Sequence, residues 1–188
     1  MPPVLPSLKH ANKVLAEYLS DSRIREHCMA TQEKALNISR KVSSSLEVNL
    51  KLVSISALLH DIGRARVNDI THGFVGGQIL RSEGFPIQVV RIVERHVLGG
   101  FTSAEAKLIG LPTRSFLPRT WEEKIVCVAD KLGLFHWNGI DSPDKWLGEM
   151  RIRFSKLRSI YGGGEPFGSS MRRAEQYLRE LISKVLKD

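Results

Sequence analysis

The sequence places a histidine and an aspartate side by side, His60 and Asp61, at the end of the apolar run Ala57-Leu58-Leu59. A polar pair at this position is a poor core element but a good pair of metal ligands, because imidazole nitrogen and carboxylate oxygen both bind divalent metal ions. Further candidate ligands lie on both sides of the pair: His27, His72, His96 and Asp130. A mixed set of this kind suits zinc, iron, manganese, cobalt or nickel.

The elements that position these residues are predicted to be helices. Apolar residues repeat with the helical period, and no segment alternates as a half-buried strand does. Helices are expected at about residues 8–19 and 22–43, and His27 borders the apolar seam of the second. A capping box, Ser44 to Glu47, is expected to open a third helix, and Gly63 to end it just after the His-Asp pair.

The downstream half is predicted to bring three more ligands on further helices. One helix runs from about His72 to Glu83, and Pro86 opens the next, which carries His96 on its final turn. A second capping box starts the helix that carries Asp130. The remaining helices are predicted near residues 104–109, from Ser142-Pro143-Asp144 to Gly162, and after the glycine-rich linker 162–168.

These elements predict an all-α fold, a single helical bundle of about seven to nine helices over residues 1–188. The facing helices of a bundle supply side chains at a fixed depth, so the candidate ligands would converge on one interior site. No apolar run is long enough to span a bilayer, and the N-terminus lacks the pattern of a secretory signal. Cys28 and Cys127 form no CxxC pair, which favours the cytoplasm and two small core residues.

Charge is concentrated at the C-terminal end. The formal net charge is +8, and residues 151–188 hold nine Lys/Arg against four acids, a net +5 of that total. A basic surface attracts nucleotides or nucleic acid, although a solubilising face on amphipathic helices explains the same pattern. Nucleic-acid binding through these helices, and a dimer through the last one, both stay open.

The pattern H…HD…D resembles the HD superfamily of metal-dependent phosphohydrolases, and the longer string H…HDIG…H…H…D resembles its HDIG-type branch. The similarity is strongest to a stand-alone archaeal HDIG family, and the segments Arg95–Gly100 and Thr120–Lys124 strengthen it. The resemblance implies an HD-type metal-binding core over residues 20–135. Residues 141–188 would then be a basic helical extension packed on this core.

The resemblance also implies a ligand set. A first ion would be held by four residues: His27, His60, Asp61 and Asp130. In two-metal relatives, later histidines hold a second ion and the aspartate of the pair bridges, roles that fall here to His72, His96 and Asp61. Several such relatives have two adjacent histidines where this chain has His96-Val97, which leaves the second site one ligand short, for water or substrate to complete. One or two divalent transition-metal ions are therefore expected.

The implied reaction is hydrolysis of a phosphomonoester or phosphodiester, in a nucleotide or short oligonucleotide, by metal-activated water at His60 and Asp61. The glutamate that assists water in the bacterial deoxynucleotidase branch is absent after the pair, so Asp69 is the nearest candidate acid or base. Four cations are candidate binders of substrate phosphate or, equally, ordinary surface charges: Arg64, Arg66, Arg95 and Lys131.

Two alternatives of another class stay open: a nucleic-acid-binding module with a structural metal, and a nucleotide-sensing domain without turnover. The surplus of histidines argues against both, because a structural metal site is usually closed. Residues 98–119 form a long segment between two ligand helices, and we expect them to act as a lid over the site.

Overall fold

The structure, a computed structural model, describes residues 4–132 and 143–185. Within these two ranges every regular element is a helix, nine α-helices and one short 3-10 helix, so the predicted all-α fold is confirmed. The elements are α1 (Leu8–Tyr18), α2 (Ser22–Val42), α3 (Leu50–Leu59), a 3-10 helix (Ile62–Ala65), α4 (His72–Ser82), α5 (Ile87–Arg95), α6 (Ser103–Leu108), α7 (Trp121–Lys131), α8 (Pro143–Tyr161) and α9 (Phe167–Val185).

Several helices begin where the sequence predicts, because a side chain satisfies their first free amide groups. The Ser7 hydroxyl accepts a hydrogen bond from the backbone N–H of His10 at 3.1 Å. At the start of α7, Thr120 and Glu123 form both halves of a capping box. This second box fixes the register of the helix that carries Asp130.

The predicted capping box at Ser44 to Glu47 is wrong. The α3 helix begins at Leu50, and its cap is Asn49, whose side chain accepts from the Leu52 N–H at 3.0 Å. The serine run instead ends α2: the backbone N–H groups of Ser45 and Leu46 both bond to the Val42 carbonyl. A serine-to-glutamate spacing is insufficient when asparagine, an equally good cap, stands closer to the apolar segment.

The α3 helix is the centre of the bundle. It packs against α1, α2, α5 and α7, and all its residues from Val53 to Leu59 except Ser54 are buried. A helix that is apolar on all sides is stable only in the interior, where neighbours cover each face. The residues that follow its last turn, His60 and Asp61, are therefore buried too, with exposures of 0% and 4%.

Gly63 has a different role from the predicted helix stop. The chain continues beyond it as the 3-10 helix, and Gly63 lies directly against the start of α4. A Cβ atom built on Gly63 would lie 1.9 Å from the His72 carbonyl oxygen and 2.6 Å from the Gly76 backbone nitrogen. The absence of a side chain therefore allows α4 to approach the His-Asp pair, which brings His72 close to Asp61.

Residues 98–119 are anchored to the rest of the protein. Phe101 and Phe116 are buried, and the Phe116 N–H donates to the Phe101 carbonyl at 2.8 Å. The Gly99 N–H donates to the Ser170 hydroxyl of α9 at 3.0 Å. The lid role of this segment stays a prediction, and shortening the segment would also remove core side chains.

The helices α8 and α9 lie against the same bundle. The α9 helix packs on α7, where the Lys124 ammonium pairs with the Glu180 carboxylate at 2.6 Å, and α8 packs on both α9 and α7. None of the described helices is both long enough and apolar enough to cross a membrane.

We predict that Gly63→Ala destabilises the fold, because the added methyl group would meet backbone atoms that cannot turn aside. Overpacking a rigid site costs about 1–3 kcal/mol, and denaturant unfolding followed by circular dichroism would measure this loss. The matched control is Gly148→Ala, an exposed position in α8 with no atom near the new Cβ. The control should be neutral or slightly stabilising, because alanine favours helix over glycine. Equal stability of both variants would refute the packing role of Gly63.

Candidate metal centre

Three of the candidate histidines are oriented by the same type of hydrogen bond. His60, His72 and His96 each place Nδ1 next to the backbone carbonyl three residues earlier, at 2.8, 2.6 and 2.7 Å. A carbonyl oxygen only accepts, so each Nδ1 carries its proton and donates it. The ring is thereby fixed with Nε2 pointing into the protein, as is usual for histidines that bind metal.

Three side chains from three helices form a first cluster. The Oδ1 atom of Asp130 lies 2.9 Å from His27 Nε2 and 3.4 Å from His60 Nε2, and the two Nε2 atoms are 3.2 Å apart. The residues come from α2, the end of α3 and α7. Helix packing thus brings together residues separated by more than a hundred positions of sequence.

A second cluster lies on the other side of Asp61. His72 Nε2 is 3.1 Å from Asp61 Oδ1 and 3.1 Å from His96 Nε2, while His96 Nε2 is 3.6 Å from the same carboxylate oxygen. The other oxygen, Asp61 Oδ2, faces the first cluster, 3.8 Å from His27 Nε2 and 3.7 Å from His60 Nε2. The single carboxylate of Asp61 therefore lies between both clusters, one oxygen toward each.

These distances fit metal coordination. With metal–nitrogen and metal–oxygen bonds of about 2.0–2.2 Å, neighbouring ligands of one ion lie roughly 3.0–3.5 Å apart, close to the separations within each cluster. In their neutral forms His72 and His96 also aim Nε2 lone pairs at each other, because both Nδ1 protons are used. Such an arrangement is repulsive by itself and is satisfied by a cation that both nitrogens bind.

The electrostatics of the clusters also favour a cation. Burial alone would raise the pKa of Asp61 and of Asp130, but the neighbouring His60 and Lys131, respectively, hold both values well below the usual range. Burial would lower the pKa of His60, yet the Asp61 carboxylate raises it well above its ordinary value. The buried carboxylates of Asp61 and Asp130 thus need compensating positive charge. A divalent ion would supply this charge while displacing a proton from a histidine.

His96 has the opposite tendency. Burial, with the positive charge of nearby His60 and His72, lowers its pKa to about 3, although a hydrogen bond to Asp61 acts in the other direction. His96 is therefore neutral around pH 7. Neutral imidazole is the form that binds metal ions.

Lys131, a predicted phosphate binder, is 2% exposed and makes two interactions inside the protein. Its ammonium donates to the His96 carbonyl at 2.7 Å and to Asp130 Oδ2 at 2.5 Å. The Lys131 ammonium therefore links Asp130 of the first cluster to His96 of the second. Lys34 of α2 adds to this framework by donating to the Leu132 carbonyl at 2.5 Å, and burial lowers its pKa to about 8.

The other predicted phosphate binders lie in different surroundings. Arg64 donates from Nε to Asp61 Oδ2 at 2.7 Å and lies next to the first cluster. Arg95 instead pairs with both oxygens of Glu123, at 2.7 and 2.9 Å. Arg66 is exposed. Of the three, only Arg64 lines either of the cavities next to the clusters.

Asp69, the predicted acid or base, is part of a turn that supports His72. Its carboxylate accepts from the Thr71 N–H at 2.7 Å and from the Thr71 hydroxyl at 2.5 Å, and these bonds lower its pKa. Its backbone carbonyl is the acceptor for His72 Nδ1. Among the described residues, Asp69 lines neither of the two cavities that lie next to the clusters.

Two cavities lead to the clusters. A larger one, about 440 Å³, lies over His27 and Asp61, and a smaller one, about 40 Å³, lies over His72 and His96. Arg64 and Arg153 line both.

Sequence analysis missed the contribution of α8 to these walls. Arg153, Leu157 and Tyr161 all line the smaller cavity, and they lie four residues apart, on one face of the helix. That spacing was visible in the sequence. Whether this face of α8 points toward the cavity depends on how the helix packs, and the local sequence pattern does not reveal that.

The described residues thus form an all-helical fold around interior histidine–aspartate clusters that could hold metal ions. The chain belongs to the HD domain family, whose model matches residues 24–133. The matched segment contains all six candidate ligands and ends before α8 begins.

Two relatives match this chain over different lengths. An uncharacterised protein of Methanocaldococcus jannaschii is 44% identical over 115 residues, which cover 61% of this chain and 68% of that one. A tRNA (cytidine(56)-2'-O)-methyltransferase of Thermoplasma volcanium is 40% identical over 187 residues, 98% of this chain but 50% of that protein. This chain thus spans about two thirds of the first relative and half of the second.

A solved structure has the same fold. The HD domain of the L. monocytogenes phosphodiesterase PgpH, in complex with cyclic-di-AMP, superposes with a TM-score of 0.52 at 15% identity. The superposition covers 94% of this chain and 98% of that domain, so the shared architecture includes regions outside the matched family segment.

We predict that Lys131→Met weakens metal binding, because methionine fills similar space but leaves Asp130 and the His96 carbonyl without their shared donor. Loss of a residue that orients metal ligands lowers affinity by about 10–100-fold. Competition with a chelator, followed by elemental mass spectrometry, would measure the change. The control is Lys107→Met, an exposed lysine of α6. An affinity equal to that of the control would exclude the orienting role.

Proposed function

We propose that the chain is a metal-dependent phosphohydrolase that cleaves a phosphomonoester or phosphodiester of a nucleotide or short oligonucleotide. The observation that carries this proposal is the position of Asp61, with one carboxylate oxygen toward each of two histidine clusters. A bridging carboxylate between two ions about 3.5–4 Å apart is typical of enzymes that displace an oxygen at phosphorus.

The two metal ions would supply activated water and would neutralise the phosphate oxygens of the substrate. The side chains of the protein would orient the metal ligands and bind the substrate. Its histidines and aspartates hold the ligand atoms in place through the Nδ1–carbonyl bonds and through Lys131. The Arg64 guanidinium, at 2.7 Å from Asp61 Oδ2, would bind an oxygen of the substrate phosphate that lies at the metal ions.

The cavities support a nucleotide-sized substrate. About 440 Å³ lies within the usual range of small-molecule sites, and both cavities carry arginine side chains. The smaller cavity, about 40 Å³, adds apolar and aromatic walls from Ile70, Leu157 and Tyr161 beside the second cluster. The similar fold of a domain bound to cyclic-di-AMP supports this substrate class.

The methyltransferase activity of the Thermoplasma volcanium relative is not part of this proposal. The chain corresponds to only half of that protein, so the activity of the whole protein is not carried over. The relative does connect a domain of this kind with RNA, which supports an oligonucleotide as one form of the substrate. We also propose a cytoplasmic location, because Cys28 and Cys127 are both buried and unpaired as thiols.

The first test is metal content and activity of the full chain. We predict about two transition-metal ions per wild-type chain by elemental mass spectrometry, falling to about one in a His72→Ala, His96→Ala double variant. Asp61→Asn keeps the size of the side chain but removes the charge that both clusters share. It should lose hydrolysis of p-nitrophenyl phosphate and bis(p-nitrophenyl) phosphate by at least about a hundredfold.

The matched control is His10→Ala, which removes an exposed histidine of α1 that stacks on Phe85 and lines neither cavity. It should retain both metal ions and full activity. One ion in wild type and double variant alike would favour a mononuclear mechanism. Bound metal with no turnover of any phosphate ester would favour a nucleotide-sensing domain, and no metal after reloading would refute the hydrolase proposal.

A further inference from the structure

We propose that Arg153 of α8 determines substrate choice by binding a second phosphate, beyond the one that lies at the metal ions. This inference rests on the proposed function and makes it more specific: the substrate would carry more than one phosphate group. Arg153 lies outside the segment that the family model matches, residues 24–133.

The position of Arg153 is the first argument. It lines both cavities, so it stands where the two approaches to the metal centre meet. Arg64 also lines both, but Arg64 is hydrogen-bonded to Asp61 and to Asn68. Arg153 is exposed and forms no ion pair with any described carboxylate, those of Asp61 and Asp130 included. Its guanidinium is therefore farther from the Asp61 and Asp130 carboxylates than the Arg64 guanidinium is from Asp61.

The second argument is the unbalanced charge of Arg153. Four other arginines of α8 and α9 have acidic partners: Arg151 and Arg179 pair with Glu175, Arg172 pairs with Glu165, and Arg173 pairs with Glu105. Arg158 of α8 also pairs with no described carboxylate, but it lines neither cavity. An arginine that faces a cavity without such a partner is available to bind an anion from solution.

The remaining acid of the larger cavity does not balance this charge. Asp21 is engaged by Arg23, whose guanidinium donates to both of its carboxylate oxygens at 3.2 and 2.9 Å. Among the described residues that line the cavities, the other carboxylates are the candidate metal ligands Asp61 and Asp130. Among the described cations that line the cavities, Arg153 is thus the arginine without a carboxylate partner, and a second phosphate of the substrate would supply one.

The test uses two anions as probes on the manganese-loaded full chain: inorganic phosphate and pyrophosphate, by isothermal titration calorimetry. Wild type should bind pyrophosphate more tightly than phosphate, because only pyrophosphate reaches both the metal ions and Arg153. In Arg153→Ala this advantage should fall by about tenfold, the usual effect of losing a charge-assisted hydrogen bond. Arg153→Lys, which keeps the charge but loses the planar fork, should restore part of it.

The matched control is Arg158→Ala, since Arg158 is an exposed arginine on the same helix that lines neither cavity. It should keep the wild-type ratio. An unchanged ratio in Arg153→Ala, or an equal loss in Arg158→Ala, would overturn the proposal, as would wild type that shows no preference for pyrophosphate. Any of these results would leave the proposed hydrolysis intact if the Asp61→Asn variant still loses turnover. The two failures are therefore distinguishable.

Discussion

The buried carboxylate of Asp61 is the constraint on which the rest of the site depends. An ionised group that is 4% exposed is unfavourable unless positive charge and hydrogen-bond donors surround it. The chain meets this demand with five side chains: Arg64, His27 and His60 face one oxygen, and His72 and His96 face the other. The central position of α3, the close approach at Gly63 and the fixed imidazoles of His60, His72 and His96 together place these groups around one carboxylate.

Much of this arrangement could be predicted from the sequence, because its signals are local. Helical periodicity revealed the elements, the Thr120 capping box fixed α7, and the adjacent His60 and Asp61 indicated the metal chemistry. Errors arose where two local signals competed. The serines near residue 44 and Asn49 are both good caps, but the serine run is used to end α2, and Asn49, which stands closer to the apolar segment, caps α3.

Other features depend on contacts distant in sequence, and no local pattern carries that information. The glycine at 63 resembles a helix stop, yet its function is to accept the backbone of α4. Lys131 resembles a phosphate-binding cation, but its ammonium is buried between Asp130 and the His96 carbonyl. Arg153 is one of several basic residues in α8, and its position beside both cavities distinguishes it from the others.

The shared carboxylate has a thermodynamic consequence for loading of the site. Two ions that bind one aspartate are coupled: the first fixes the orientation of Asp61 for the second, and also repels it by charge. Whatever the balance of these effects, each ion changes the affinity for the other by the same factor. If both clusters hold an ion, as we propose, occupancy of the two positions would be a single linked equilibrium, and the supply of one metal would set how readily the other position fills.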